Sequence, residues 1–115
     1  MRHHKNKRTL GRDKNQRNAL LKSLAHNLIV RGRIETSEAK AKEVRPYVER
    51  LVTKAKIGTL ASRRFLIGQV GEKQAVKLIT KIAPSYKERK GGYVRITKTV
   101  RRLQDGSFRA YIEFV

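Results

Sequence analysis

The chain has no cysteine and no tryptophan, a single methionine, two prolines, and an aromatic content of only 6% across 115 residues. Each shortage excludes something. Without cysteine there is no disulfide, no thiolate metal site and no cysteine nucleophile, which agrees with a reducing, cytosol-like compartment. No apolar run reaches the roughly eighteen residues a bilayer-spanning helix needs, and no apolar signal-peptide core follows the basic start. Acids are scarce as well: nine Asp plus Glu stand against 29 Lys plus Arg, for a net charge of +20. The histidines are only His3, His4 and His26, and no close pair of carboxylates occurs. An RNA-processing enzyme would have to rest its acid–base chemistry on histidines of the chain's first residues, so enzymatic activity is not expected. No cofactor, metal or small-molecule substrate is expected either. His3 stands where a free amino terminus could hold square-planar copper or nickel, and chance accounts for that placement.

What is abundant is positive charge. A balance this lopsided repels itself in a compact state, so the partner to expect is a polyanion. Nucleic acid is the first candidate and an anionic membrane the second. The charge is densest in residues 1–17, where Arg2, Lys5, Lys7, Arg8, Arg12, Lys14 and Arg17 face a single acid, Asp13. Met1 and Leu10 are the only sizeable apolar groups there. Such a segment cannot offset its ordering entropy, so the arm of residues 1–12 is predicted to be disordered alone and ordered on a polyanion, where each cation meeting a phosphate releases counterions.

The length fits one domain, residues 13–115, with a modest core. Asp13 and Gln16 form a capping-box pattern, followed by an apolar face of Leu20, Leu21, Leu24, Ala25, Leu28 and Ile29, with His26 roughly opposite and Gly32 past the end. Arg33 to Thr36 is a short β-prone run. Thr36 or Ser37 can cap a second helix bearing Ala41, Val44, Val48, Leu51, Val52 and Ala55, with a kink or break expected at Pro46. Gly58-Thr59 opens a third helix with Leu60, Leu66, Ile67 and Val70 as its apolar residues and Arg63 and Arg64 on it. A fourth carries Ala75, Val76, Ile79 and Ile82 inward and ends at Pro84.

Two runs, Val94–Leu103 and Phe108–Val115, flank Asp105-Gly106 and read as a hairpin. A two-residue loop sets Lys98 opposite Glu113 but opposes an apolar row to Thr97, Thr99 and Arg101. An odd-length loop matches Phe108, Ala110, Ile112 and Phe114 with Val94, Ile96 and Val100. The odd-length loop is preferred, because burying one apolar face outweighs a single exposed ion pair. A lone hairpin is marginal, so the run around Ile34 is expected as a third strand. The fold class is therefore α+β: a two-layer single domain in the order α-β-α-α-α-β-β.

A second basic zone lies between Pro84 and Arg102, with Lys87, Arg89, Lys90, Arg95, Lys98, Arg101 and Arg102 against Glu88. Gly91 and Gly92 would let backbone amides approach a phosphate, and Tyr86 or Tyr93 could stack on an unpaired base. The bland alternative is a turn with half-buried tyrosines. A nucleoid-type DNA binder would also be small, basic and cysteine-free. No apolar wedge on a β-ribbon arm and no helix-turn-helix spacing are apparent to support it.

The ordered set Met1-Arg2-His3, Arg12, Arg17-Asn18-Ala19-Leu20, Arg33-Ile34-Glu35-Thr36-Ser37, Lys40-Ala41-Lys42-Glu43, Leu51-Val52, Ala55-Lys56, Arg63-Arg64, Gly91-Gly92-Tyr93-Val94-Arg95-Ile96 and Ala110 to Val115 resembles the bacterial large-subunit ribosomal protein L-seventeen family over essentially the whole chain. It departs at Lys7, Gln16 and Ser37, where that family usually has Gly, His and Thr. The resemblance implies a non-enzymatic constituent of the large ribosomal subunit. It implies an N-terminal extension reaching into ribosomal RNA, a place towards the nascent-chain exit side, and a neighbouring ribosomal protein, L-thirty-two.

Overall fold

The structure, a computed structural model, describes residues 8–115. Helix α1 spans Lys14–Arg31. Its capping box forms as read: Gln16 N–H donates to Asp13 Oδ1 at 2.9 Å, and the Asp13 N–H to Gln16 Oε1 at 3.4 Å. The glutamine that departs from the family pattern is thus the residue that closes the box. Gly32 ends the helix in the left-handed region at φ +79°, its N–H bonded to the Leu28 carbonyl. Two further carbonyls of the last turn, those of Ile29 and Val30, accept from Lys77 Nζ at 2.6 and 3.2 Å. A lysine there also sits at the negative end of the helix dipole. Replacing Lys77 by Met lowers stability by about 1–2 kcal/mol and speeds amide exchange in the last turn of α1. Changing the exposed Lys73 to Met leaves both unchanged.

Strand β1 is Arg33–Ser37, and α2 follows at once as Glu38–Ile57. Ser37 Oγ caps α2 by accepting from Lys40 N–H at 3.3 Å. The apolar stripe of α2 is buried at all six expected positions, Ala41, Val44, Val48, Leu51, Val52 and Ala55. The helix runs through Pro46 as one element, so of the kink or break expected there the break does not occur. Pro46 lies on the exposed side, where water can serve the carbonyl that the ring leaves unpaired.

Helix α3 is Leu60–Val70, capped by Thr59, whose Oγ1 accepts from Ser62 N–H at 3.1 Å. Only Ser62, Leu66 and Val70 are buried on it. Leu60 and Ile67, expected inside, are exposed. Three turns of helix touch the body along one i, i+4 line, and those two residues fall beside it. Helix α4, Glu72–Lys77, continues through a wider π-helical turn, Leu78–Ile82, and a final turn, Ala83–Ser85. Pro84 therefore does not stop the helix before it. The widened turn gives the ring room, and Ser85 Oγ donates to the Lys81 carbonyl at 3.0 Å. The same change of pitch lets Leu78 and Ala83, five residues apart, both face inward, while Ile79 and Ile82 pack only partly against the core and Val76 is half-buried.

Strands β2, Val94–Lys98, and β3, Arg109–Phe114, complete an antiparallel sheet in the order β1-β3-β2. The run around Ile34 is the third strand, at the edge beside β3. The register has the preferred parity: Val94 faces Phe114, Ile96 faces Ile112, and Ile34 faces Ile112 from the other side. Ile34, Ile112 and Ile96 thus form one apolar row across all three strands. On the outer face Arg95, not Lys98, lies opposite Glu113, and Glu113 sits between Arg95 at 2.9 Å and Arg33 at 3.9 Å. Helix α2 packs across all three strands and α1 against β1 and α2, which gives the two layers expected.

Asp105 and Gly106 lie in the turn at the tip of the β2–β3 connection, but they do not form a two-residue loop directly between paired strands. The ladder stops at Lys98 and Ala110, and residues 99–108 form a longer projection. Val100, Leu103 and Phe108, read as strand residues, have no second layer above them there and are exposed.

Candidate nucleic-acid interface

The basic side chains collect into patches, and α2 organises them. At its N-terminal end Glu43 accepts from both Arg8 N–H, at 3.2 Å, and Arg8 Nη1, at 2.9 Å. Residues 9–12 turn back on themselves, with Arg12 N–H bonded to the Thr9 carbonyl and both central residues, Leu10 and Gly11, at positive φ. Arg12 Nη1 donates to the Leu10 carbonyl and Arg17 Nη1 to the Arg12 carbonyl, so each spends one donor bracing this turn. Arg8 is thus tied to α2, and the turn of residues 9–12 is braced by its own bonds and by Arg17 of α1. Arg2, His3, His4, Lys5 and Lys7 lie outside the described residues. Beside the turn a cleft of about 200 Å³ is lined by Arg8, Lys14, Arg17, Arg50 and the acid Glu43.

The start of α2 also meets the far end of the sheet. Glu38 receives Lys42 Nζ at 2.9 Å and Lys98 Nζ at 3.6 Å. The lysine hydrogen bond holds the Glu38 carboxyl below its ordinary value. Arg8, Lys42 and Lys98 share an open groove of about 560 Å³ with Ser37, Ser107 and Phe108. The two basic zones, at opposite ends of the sequence, thus adjoin here. Lys42 and Arg50 went unread as interface residues. Their signal was the cationic side of α2 opposite its apolar stripe.

The loop of residues 87–92 belongs elsewhere. Gly92, at φ +64°, donates its N–H to Glu49 Oε2 at 3.0 Å, and Lys56 Nζ donates to the Arg89 carbonyl and to the Tyr93 hydroxyl. Glu49 lies eleven residues beyond Glu38, so this loop is displaced about 16 Å along α2 from the groove. Lys87, Arg89 and Lys90 are exposed, as is Gly91. The amide of Gly92, expected to approach a phosphate, is held by the carboxylate.

Tyr93 is 2% exposed and Tyr86 is 7% exposed, with ring centroids 5.2 Å apart. Neither ring is open to a base, so the stacking role is overturned and both tyrosines are core. The reason is the apolar layer between α2 and the C-terminal strand, which needs their volume. The Tyr86 hydroxyl donates to the Val115 carbonyl at 2.7 Å, and burial pushes its pKa up. A raised folded pKa gives stability that is present below the unfolded value, about 10, and lost as pH rises through the folded one. Tyr86→Phe removes this alkaline loss, together with about 1 kcal/mol of stability at neutral pH. Denaturation midpoints of both proteins from pH 8 to 11 check it.

Arg63 and Arg64 lie exposed on α3. Arg95 is tied to Glu113, while Arg101 lies over the Phe108 ring at 4.2 Å and donates from Nε to the Gly106 carbonyl. Arg102 forms a two-pronged pair with Asp105 at 2.8 and 3.2 Å, which holds that carboxyl far below the usual range. Arg109, unread as an interface residue, pairs with Glu35 at 3.5 Å.

Seven of the nine acids thus serve the protein's own architecture. Asp13 caps a helix, Glu49 holds a loop, and Glu35, Glu38, Glu43, Asp105 and Glu113 brace cationic side chains. Among the described residues no group of His, Asp and Glu converges as a metal site would need, and no helix is long and apolar enough to cross a membrane. The fold and these patches define a class: a small cationic scaffold that presents basic groups on a rigid α+β core.

Comparison with known proteins gives the family. The model for ribosomal protein L17 matches residues 20–115. The chain is 50% identical to the large ribosomal subunit protein bL17 of Gemmatimonas aurantiaca, covering 100% of this chain and 98% of that protein. It is 48% identical to the bL17 of Campylobacter jejuni and 47% identical to that of Helicobacter acinonychis, again over 100% of this chain and 99% and 100% of theirs. The chain belongs to the ribosomal protein L17 family, and it is a structural ribosomal component rather than an enzyme.

Proposed function

We propose that this protein works in the cytoplasm as a constituent of the large ribosomal subunit, where it binds and cements ribosomal RNA. The cementing contacts are the basic arm of residues 1–12, with Arg2, His3, His4, Lys5, Lys7, Arg8 and Arg12, and the adjoining Lys14 and Arg17. Lys98, Arg101 and Arg102 at the end of the sheet act with them. Arg63 and Arg64, Lys87, Arg89, Lys90, Gly91 and Arg95 supply further phosphate contacts from separate faces of the domain of residues 13–115. Arginine suits bidentate phosphate contacts and lysine acts as a point charge. L-thirty-two is the neighbouring protein proposed from family resemblance.

The observation that best supports this reading is the groove where Arg8, Lys42 and Lys98 meet. It joins the arm to the sheet end, so one RNA segment can engage both. Tagged protein from a bacterial lysate is expected to co-sediment with free large subunits and whole ribosomes. Recovery with the nucleoid, or in the unbound fraction, would sink the proposal.

A further inference from the structure

The projection between β2 and β3 carries apolar side chains that the core does not use. Leu103 is 97% exposed and Val100 85%. Their backbone is braced. Arg102 N–H donates to the Ser107 carbonyl at 3.1 Å, Gly106 N–H to the Arg102 carbonyl at 2.7 Å, and Ser107 N–H to Asp105 Oδ1 at 3.0 Å. Gly106 occupies the left-handed region at φ +67°, which this turn requires. Arg101 and Arg102 are held to the same turn, by the Gly106 carbonyl and by Asp105. The result is a braced tip at the end of a β-ribbon, where two exposed aliphatic residues, Val100 and Leu103, flank two arginines in the order Val100-Arg101-Arg102-Leu103. No apolar wedge on such an arm is legible in the sequence, because the exposure of Val100 and Leu103 depends on where the sheet stops.

We propose that this tip seats Leu103 and Val100 against an unstacked base of a single-stranded RNA loop or bulge, with Arg101 and Arg102 on the flanking phosphates. The inference rests on the ribosomal RNA reading above and deepens it. A-form duplex offers no partner for these aliphatic groups: its major groove is too deep and narrow, its minor groove is lined with hydroxyls, and its base faces are hidden by stacking. An unpaired nucleotide exposes an apolar face beside phosphates, which matches the tip in both respects. A protein pocket fits less well. The projection and its base carry Lys98, Arg101, Arg102 and Arg109, and the one acid of the tip, Asp105, is already engaged by Arg102.

The test uses the full chain and transcribed bacterial large-subunit ribosomal RNA, with affinity measured at several salt concentrations and base accessibility read by dimethyl sulfate. Leu103→Ser should weaken binding at least about fivefold, below what fully burying a leucine side chain contributes, with the salt slope unchanged because no cation is lost. Wild type should protect an unpaired base that this variant leaves reactive. Arg101→Gln with Arg102→Gln should instead flatten the slope by about 1.4, at roughly 0.7 per single-strand phosphate. Since the tip is exposed, circular dichroism should show both variants folded. Wild-type affinity and protection in Leu103→Ser would overturn the tip while leaving ribosomal RNA binding intact. Normal RNA affinity combined with failure to join large subunits would also overturn it, in favour of a protein pocket. Wild type that does not bind the RNA at all would overturn the functional reading and this inference together.

Discussion

Deleting residues 2–12 lowers affinity for large-subunit ribosomal RNA on the order of a hundredfold, more than independent phosphate contacts would cost, because the arm and the sheet end grip as linked sites. The deletion removes Arg2, Lys5, Lys7, Arg8 and Arg12. If each meets a phosphate, the slope of log affinity against log salt flattens by up to about 3.5–4.5. The fold survives, since the capping box at Asp13 remains and the Arg8–Glu43 pair is largely exposed on its Arg8 side. Pairs of that kind contribute about 0–1 kcal/mol. Changing Arg89, Lys90, Arg95 and Arg101 to Gln weakens binding in the same way without unfolding the sheet, because all four side chains face out. Affinities across a salt series, with circular dichroism as the folding control, decide the matter. An unchanged slope after the arm deletion would show the arm to be a solvated tail.

The second large effect lies in the core. Leu51 is 2% exposed in the middle of the buried face of α2, so Leu51→Ala costs about 2–5 kcal/mol. Leu24 reads equally well from spacing, yet it lies only partly buried at the edge of the core, and Leu24→Ala costs clearly less. Urea denaturation separates the two. Equal midpoint shifts would mean that α1 is rotated relative to the placement described here.

The difference between those leucines shows what the sequence can carry. Local chemistry was legible: the capping box at Asp13, the left-handed Gly32, the Ser37 and Thr59 caps, the six-residue stripe of α2 and the parity of the hairpin all follow from nearest neighbours or from a simple period. Depth of burial was not, because it depends on which faces meet a second layer. Leu60 and Ile67 have the right spacing and no layer above them, while Ala83, five residues past the buried Leu78, is turned inward by a π turn that no fixed 100° step anticipates. The interface divided in the same way. Its charge was plain from composition, but Lys42 and Arg50 lie on a helix read only for its apolar side. Tyr93 stands in a basic loop and yet points into the core.

Helix α2 acts as a ruler. Glu38, Glu43, Glu49 and Lys56 grip the sheet end, the arm, the glycine loop and the Arg89 carbonyl in turn, and their intervals are set by residue count alone. One residue inserted near Arg45 would turn everything after it by about 100°, swinging Glu49 and Lys56 off their partners and the apolar stripe out of the core. Insertions in residues 87–92 or 99–108 leave the register of α2 and its apolar stripe intact. Natural length variation in this family should therefore spare the span from Glu38 to Lys56.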